Sequence, residues 1–488
     1  MKKVKLLLLF LFIMIIPSIR ANASQTERSY DYEGYYYNFW GRAVASPAAY
    51  TITDEINGSH LNGMKLESME DVTVSHDNRI FLVDKLESRV HVFDNDFHLL
   101  QSIKLIRNEE GKIVIDDKGN QVMLTNPEGA FYHNKNDELY IADTGAKRVL
   151  VLDGSTLTLK RLIETPSNMS GVTDFKPSKI AVDKADRIYI VVQSSYEGII
   201  ELNADGSFSR YFGVNVPKVN LIDFFWKSLA SDTQKQKMGK TYAPAFSNIA
   251  MDSEGFVHAV TYDTAAQQMV FRLNSKGENV LREEGNLFVV GDVNYMENPS
   301  KFVDIAVSDY GVYAVLDMTR GRVFIYDFDG QLITVFGGLG NHKGQLKSPT
   351  SIEFIGYDLI ITDTELKCAY RLTPTKFGNA ALKANEKYYY GKWDEATALY
   401  EEALTYNSNY EVAYTGIGKN YLMKDDYEQA MYYFKMGNAR EYYSKAYNGY
   451  RGEMIKDNFY IFVILFVLFM GGLIYSEYKY HKKGGKTE

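Results

Sequence analysis

The sequence predicts a multidomain chain, all-β and then all-α: a six-bladed β-propeller, a short α-solenoid and a single transmembrane helix. Three observations carry that expectation. A unit of three short apolar runs separated by turn residues recurs six times between residues 69 and 372. Beyond residue 376 the apolar pattern turns helical and repeats at 34 residues. Near the C-terminus the stretch "FYIFVILFVLFMGGLIY" (459–475) holds no charge.

The N-terminus has Lys2, Lys3 and Lys5, an apolar run over 6–16, Pro17, and the small-x-small triplet Ala21-Asn22-Ala23. These are the three regions of a secretory signal peptide, assigned to 1–23, with an apolar run too short to span a bilayer. The tyrosine-rich segment 24–41, with "SYDYEGYYYNFWG", is expected to wrap the outside of the domain that follows.

That domain, 42–376, holds the six copies, at 69–94, 127–153, 177–203, 247–274, 303–327 and 349–372. "DELYIADTGAKRVLVLD" (137–153) shows the pattern: an apolar run ending in Asp, a turn, and a second run ending in Asp. The connections offer fourth strands at 99–103, 208–213 and 332–338. Groups of four strands at a regular period, with no helices between them, read as propeller blades, whereas sandwich strands do not recur in fours. A propeller must leave no open sheet edge. The sixth copy runs straight into helix, so "PAAYTI" (47–52) is expected to supply its last strand.

The unit resembles the NHL repeat. The residues that carry the likeness are the Pro-x-x-apolar starts at Pro127, Pro177 and Pro349, and the strand-ending Asp84, Asp143 and Asp363, which are expected to cap the turn beyond. The third, fourth and fifth copies depart, with Val192-Gln193, Thr261 and Leu316-Asp317. From 377 to 454 the 34-residue spacing aligns Ala384 with Gly418, Trp393 with Tyr427, Ala396 with Ala430 and Tyr400 with Phe434. This is similar to two tetratricopeptide repeats, small residues letting helices touch while aromatic ones fill the gap, and a further helix is expected to close them. Ser408 and Gly437 depart from the usual pattern. The apolar segment 459–475 is long enough to cross a bilayer. Lys479, Lys482, Lys483 and Lys486 should hold the tail, 476–488, in the cytoplasm, which leaves the bulk of the chain outside.

The 488 residues carry a net charge of −8 and no basic stripe, which argues against nucleic acid as a partner. One cysteine, Cys368, excludes an internal disulfide and reads as a small buried residue. No G-x-S-x-G, H-E-x-x-H or phosphate-binding loop is present, and the eight histidines do not cluster.

Aligning the blade starts gives one polar column at the channel mouth, and its ligand-binding candidates are Glu70, Asp71, Glu128, Lys179, Asn248 and Asp304. Resemblance to lactonase-like and amidating-lyase-like propellers implies a metal there. Glu70, Asp71, Asn248 and Asp304 are the candidate ligands, an oxygen set suited to Ca²⁺. An insertion at 214–245 holds Phe225 and Trp226, read either as a lid or as a contact element. With Trp393 and Tyr427 these are the candidate partner-binding residues.

The expected function is a membrane-anchored extracytoplasmic scaffold or binding protein that engages a protein partner of the cell envelope. Two further readings stay open: a receptor for a sugar or peptide at the propeller mouth, and a metal-dependent lactonase- or lyase-like enzyme. No catalytic residue is assigned, and no cofactor is expected apart from that calcium.

Overall fold

The computed structural model describes residues 34–169, 174–193, 197–213, 244–263, 266, 268–282, 291–292, 299–340 and 345–484. The signal-peptide stretch, the first part of the tyrosine-rich segment, and most of the insertion with Phe225 and Trp226 lie outside the described residues.

Three strands precede the first blade: β1 (Gly34–Tyr37), β2 (Ala43–Ser46) and β3 (Tyr50–Ile56). The first blade is β4 (Met69–Val74), β5 (Ile80–Asp84), β6 (Arg89–Phe93) and β7 (Leu99–Ile103). The second is β8 (Gly129–His133), β9 (Glu138–Asp143), β10 (Arg148–Asp153) and β11 (Leu159–Ile163). The third is β12 (Pro177–Val182), β13 (Ile188–Val192), β14 (Ile199–Leu202) and β15 (Phe208–Phe212). The fourth has three strands among the described residues: β16 (Asn248–Met251), β17 (Val257–Val260) and β18 (Val270–Leu273). The fifth is β19 (Phe302–Val307), β20 (Tyr313–Asp317), β21 (Arg322–Tyr326) and β22 (Leu332–Gly337). The sixth is β23 (Pro349–Ile355), β24 (Asp358–Asp363) and β25 (Cys368–Pro374), completed by β3.

The innermost strands β4, β8, β12, β16, β19 and β23 pack side by side in a closed ring. This is a six-bladed propeller. Second strands are covered on both faces by neighbouring blades, so β5, β13 and β20 are buried at every residue and read as unbroken apolar runs. Outer strands such as β7 expose part of their length.

The ring closes through β3, antiparallel to β25 from Ile56 opposite Ala369 to Tyr50 opposite Pro374. The strand begins three residues later than 47–52 suggests. Ala48 and Ala49 are held instead by the first helix: Thr375 donates its hydroxyl to the Ala48 carbonyl (2.7 Å) and its N–H to the Ala49 carbonyl (2.9 Å). The tyrosine-rich segment adds β1 to the outer edge of β22, and β2 to β1.

A wholly buried aspartate ends the second strand in four blades: Asp84, Asp143, Asp317 and Asp363. Each accepts backbone N–H groups from the chain entering its blade. Glu67 gives one at 2.8 Å to Asp84, Thr125 at 2.6 Å to Asp143, Lys301 at 3.0 Å to Asp317 and Lys347 at 2.7 Å to Asp363. Asp84, Asp317 and Asp363 also cap the turn beyond, through the N–H groups of Glu87, Thr319 and Leu366. The fifth blade therefore does not depart from the pattern. In the fourth, Thr261 stands there and its hydroxyl donates to the Ala245 carbonyl at 2.7 Å.

Six helices follow: α1 (Lys376–Tyr389), α2 (Trp393–Tyr406), α3 (Glu411–Met423), α4 (Tyr427–Met436), α5 (Arg440–Asp457) and α6 (Phe459–Gly484). From α1 to α5 each packs on the next, as in a short solenoid. Close approach depends on glycine: a Cβ on Gly416 would strike the Tyr400 ring, and one on Gly418 the Phe434 ring. The segment Phe459–Lys482 has mean hydropathy 2.3 and is unburied, long and apolar enough to cross a membrane.

Propeller and helices share one core. Val312, Ile325, Ile333 and Phe336 of the fifth blade lie in the same buried cluster as Phe377, Ala384, Tyr400, Tyr410 and Ile417. The Tyr410 hydroxyl donates to the Ile333 carbonyl at 2.9 Å, and the Tyr36 hydroxyl donates to the Asn409 carbonyl.

Ile56 is fully buried at the closing ladder. Ile56→Ala should lower stability by about 2–5 kcal/mol with a single unfolding transition retained, read by urea unfolding in mild detergent. An unchanged midpoint would mean that β3 does not close the ring.

Candidate functional site

The channel-mouth residues are aimed by a shared irregularity. In four blades the inner strand bulges at its start: between Met69 and Asp71, Pro177 and Lys179, Phe302 and Asp304, and Pro349 and Ser351. A bulge re-aims the residue that follows it. It brings Asp71, Lys179, Asp304 and Ser351 into register opposite Val83, Val191, Leu316 and Thr362. Asn248 takes the equivalent place in the fourth blade, opposite Val260, and Gly129 in the second, opposite Ala142.

All the polar members of this column are buried. The Lys179 ammonium lies 2.7 Å from Asp71 Oδ1 and donates to the Glu70 carbonyl at 2.9 Å. Asp71 Oδ2 accepts the Ala130 N–H at 2.9 Å. Ser351 Oγ sits between the two carboxylates, 3.0 Å from Asp71 Oδ1 and 2.6 Å from Asp304 Oδ2. Asp304 also accepts N–H groups from Ile305 and Ile352, both at 2.7 Å, and the Asn248 side-chain amide.

Five of the foreseen residues thus belong to one neighbourhood, but with different partners. The Glu70 carboxylate accepts the Ser68 hydroxyl at 3.0 Å and contributes only its carbonyl to Lys179. Glu128 stands one place before the column, paired with Lys85 at 2.6 Å and accepting the Gln193 amide. The residues present do not fit a calcium cage as they stand. Lys179 supplies the positive charge, and the Asn248 oxygen is engaged by the Ile249 N–H. Among the described residues no three His, Cys, Asp or Glu side chains converge as metal ligands.

The electrostatics follow from burial. Burial opposes the charge on Lys179, but Asp71 and Asp304 outweigh it and raise its pKa. Burial, with Asp71 adding repulsion, pushes Asp304 up to about 7 against the pull of Lys179. One Ser351 proton cannot serve two carboxylates at once, so a proton on Asp304 completes the chain of hydrogen bonds. Deeper on β23, burial pushes Glu353 up to about 8, with Asp304 and Asp71 adding repulsion. Ordinary carboxyls titrate far below this, and the sequence does not single out Glu353 because its alternation with Ser351 on one strand is meaningful only once the channel exists.

The helical candidates pack within the solenoid. Trp393 lies edge-on to Tyr388, ring centroids 4.8 Å apart. Tyr427 packs where a Cβ on Gly449 would collide with its ring. A polar cluster that the sequence did not reveal lies at the joint. Asp329, in the turn between β21 and β22, is buried and meets the Lys419 ammonium of α3 and the Tyr388 hydroxyl of α1, both at 3.3 Å. Beside it, a cavity of about 320 Å³ opens between the fourth and fifth blades and α1, lined by Asp252, His258, Arg272, Phe328 and Tyr389.

No protein-family model matches this chain, and no curated protein is significantly similar to it. Several solved structures resemble it in shape. The selenomethionine-substituted virginiamycin B lyase from Staphylococcus aureus is 13% identical, with 66% of this chain and 99% of that one covered and a TM-score of 0.40. The Cps50 (Swd1) β-propeller domain of Myceliophteria thermophila is 11% identical, with coverages of 67% and 100% and a TM-score of 0.39. A structural genomics protein of unknown function from Bacteroides thetaiotaomicron is 13% identical, with coverages of 70% and 76% and a TM-score of 0.41. Likenesses this distant carry no argument about chemistry, and the six-bladed ring rests on the strand order described above.

Two outcomes follow from the network. Lys179→Met leaves the buried Asp71 carboxylate without its counter-ion and should lower stability by about 3–5 kcal/mol near neutral pH, read by urea unfolding. Asp304 and Glu353 have raised pKa values, so the native state holds protons that the unfolded chain releases. Their contribution is therefore fully present in acid and is lost as pH rises from about 4 to about 8. Asp304→Asn should flatten that slope in urea-unfolding midpoints taken across the window. A slope identical to wild type would remove Asp304 as its source.

Proposed function

We propose that this chain is a membrane-anchored scaffold on the outer side of the cell membrane, holding a protein partner of the envelope against a joint propeller and helical platform. On this reading the blades are NHL-type and the helical pairs tetratricopeptide-like. The first 23 residues are a signal peptide, and Lys479, Lys482, Lys483 and Lys486 keep the tail in the cytoplasm. The observation that carries the proposal is the shared core of the fifth and sixth blades with α1 to α3. It ties two repeat surfaces into one body, which a scaffold needs and two independently moving modules would lack. The channel cluster supports the same reading, since its charged groups are engaged with one another.

Protease added to intact, wall-stripped cells should digest the propeller and helices and leave a short membrane fragment. Native electrophoresis of gently solubilised membranes should show the chain in an assembly larger than itself. Digestion only after lysis would overturn the orientation, and a chain that migrates alone from intact membranes would overturn the scaffold.

A further inference from the structure

We infer that the face built by α1, α3 and α5 is this scaffold's protein-recognition groove, that it takes a tight turn carrying an aromatic residue followed by an acid, and that the tip of the fifth blade fills it in cis. This rests on the scaffold reading and names its binding surface and its partner's chemistry.

The tip is the turn at 327–330. Asp327 Oδ1 accepts the N–H groups of Asp329 (3.0 Å) and Gln331 (2.8 Å), and Gly330 has φ +86, a region that favours glycine. The turn so folded presents Phe328 and Asp329. The Phe328 ring lies 5.4 Å from that of Tyr388 and 5.3 Å from that of Tyr389. Asp329 receives Lys419 and Tyr388, each at 3.3 Å. The Lys419 ammonium stands over the rings of Tyr388 (4.9 Å) and Tyr442 of α5 (4.8 Å). Lys419 of α3 and Tyr388 of α1 thus meet one oxygen of the carboxylate, and Tyr442 of α5 backs the ammonium. The other oxygen accepts Arg282 at 2.8 Å, from the propeller side.

Two features mark this as recognition and not incidental packing. Lys419 is only 6% exposed, and a buried ammonium is costly unless an anion meets it. The blade does not need the contact in order to turn: the matching turn of the third blade, with Asn203, Ala204 and Asp205, is solvent-exposed. The remainder of the joint, with Tyr410 and the shared core, is built from residues other than Phe328 and Asp329. A partner offering the same aromatic-acid turn competes with Phe328 and Asp329 for one site, so the groove is closed until a stronger competitor arrives.

The probe is a fluorescent cyclic peptide with the sequence of residues 326–331, titrated against the full chain in nanodiscs. Wild type should show little saturable binding. Phe328→Ala with Asp329→Ala should empty the groove and bind at a peptide concentration at least roughly tenfold lower. Adding Lys419→Met to that pair should abolish binding. Asp329→Asn, which keeps the turn's size, is read in its place if the double variant melts early. Equal binding by wild type and the emptied variant would show that the groove is not closed in cis. No binding by a folded, emptied variant would show that it does not recognise this turn. If the peptide fails while the envelope assembly persists, this inference falls and the scaffold reading stands. If the assembly is absent while the peptide binds, the reverse holds.

Discussion

The constraint on which the rest depends is the ladder between β3 and β25. It joins strands about 300 residues apart in sequence, a closure whose chain entropy alone costs on the order of 5 kcal/mol. Buried side chains offset it, Ile56 and Ala369 among them. The ladder also decides what lies next to what. With 50–56 fixed in the last blade, the preceding 34–46 lies beside a neighbouring blade, and β1 pairs with β22 of the fifth. With β25 ending at Pro374, α1 must start beside Ala49, close enough that Gly378 has no room for a side chain. The helical unit is therefore seated on the fifth and sixth blades by the same pairing that closes the ring.

Acidic groups in the interior are handled in two ways. The strand-ending aspartates accept backbone N–H groups from a segment that would otherwise enter the blade with unpaired donors. They fix where each inner strand begins, and so the phase of the whole blade. The channel acids are held by side chains from other blades instead: Asp71 by Lys179 two blades on, and Asp304 by Asn248 and Ser351 on either side. The first device folds a blade and the second sets blades against one another. Losing a partner in the second leaves a buried charge exposed to no water, which is why ring register tolerates little slippage.

This division explains what was legible. Blades were readable because apolar runs and turn residues are local signals; β7 falls at 99–103 as its sequence suggests. Local signals fail by one residue where a bulge adds one, which is why Glu70 and Asp71 looked equivalent before the pairing separated them. The aligned blade starts put Lys179 in one column with Asp71 and Asp304 without saying which of them it meets, and the partner of Lys419 was not legible at all. A lysine on a helix normally reaches solvent, and nothing near Lys419 in sequence says that a carboxylate from the propeller tip will meet it.

The union of propeller and helices has a mechanical consequence at the apolar helix α6. From α1 to α5 the helices are linked by successive packing and anchored to the fifth blade by Tyr410, Tyr36 and Asp329. The hairpin joining β1 and β2 adds a brace, because the Arg440 guanidinium at the start of α5 lies over Phe39 (4.4 Å) and Trp40 (4.9 Å). Past this brace α5 continues to Asp457, and one residue, Asn458, separates it from α6. Asn458 has φ −103 and ψ 13, off the helical norm, and its side-chain amide donates to the Met454 carbonyl at 2.8 Å. Among the described residues this is the narrowest link between the platform and the apolar helix. A platform made stiff by buried contacts and carried on a one-residue joint transmits a pull on any of its surfaces to α5 as a whole.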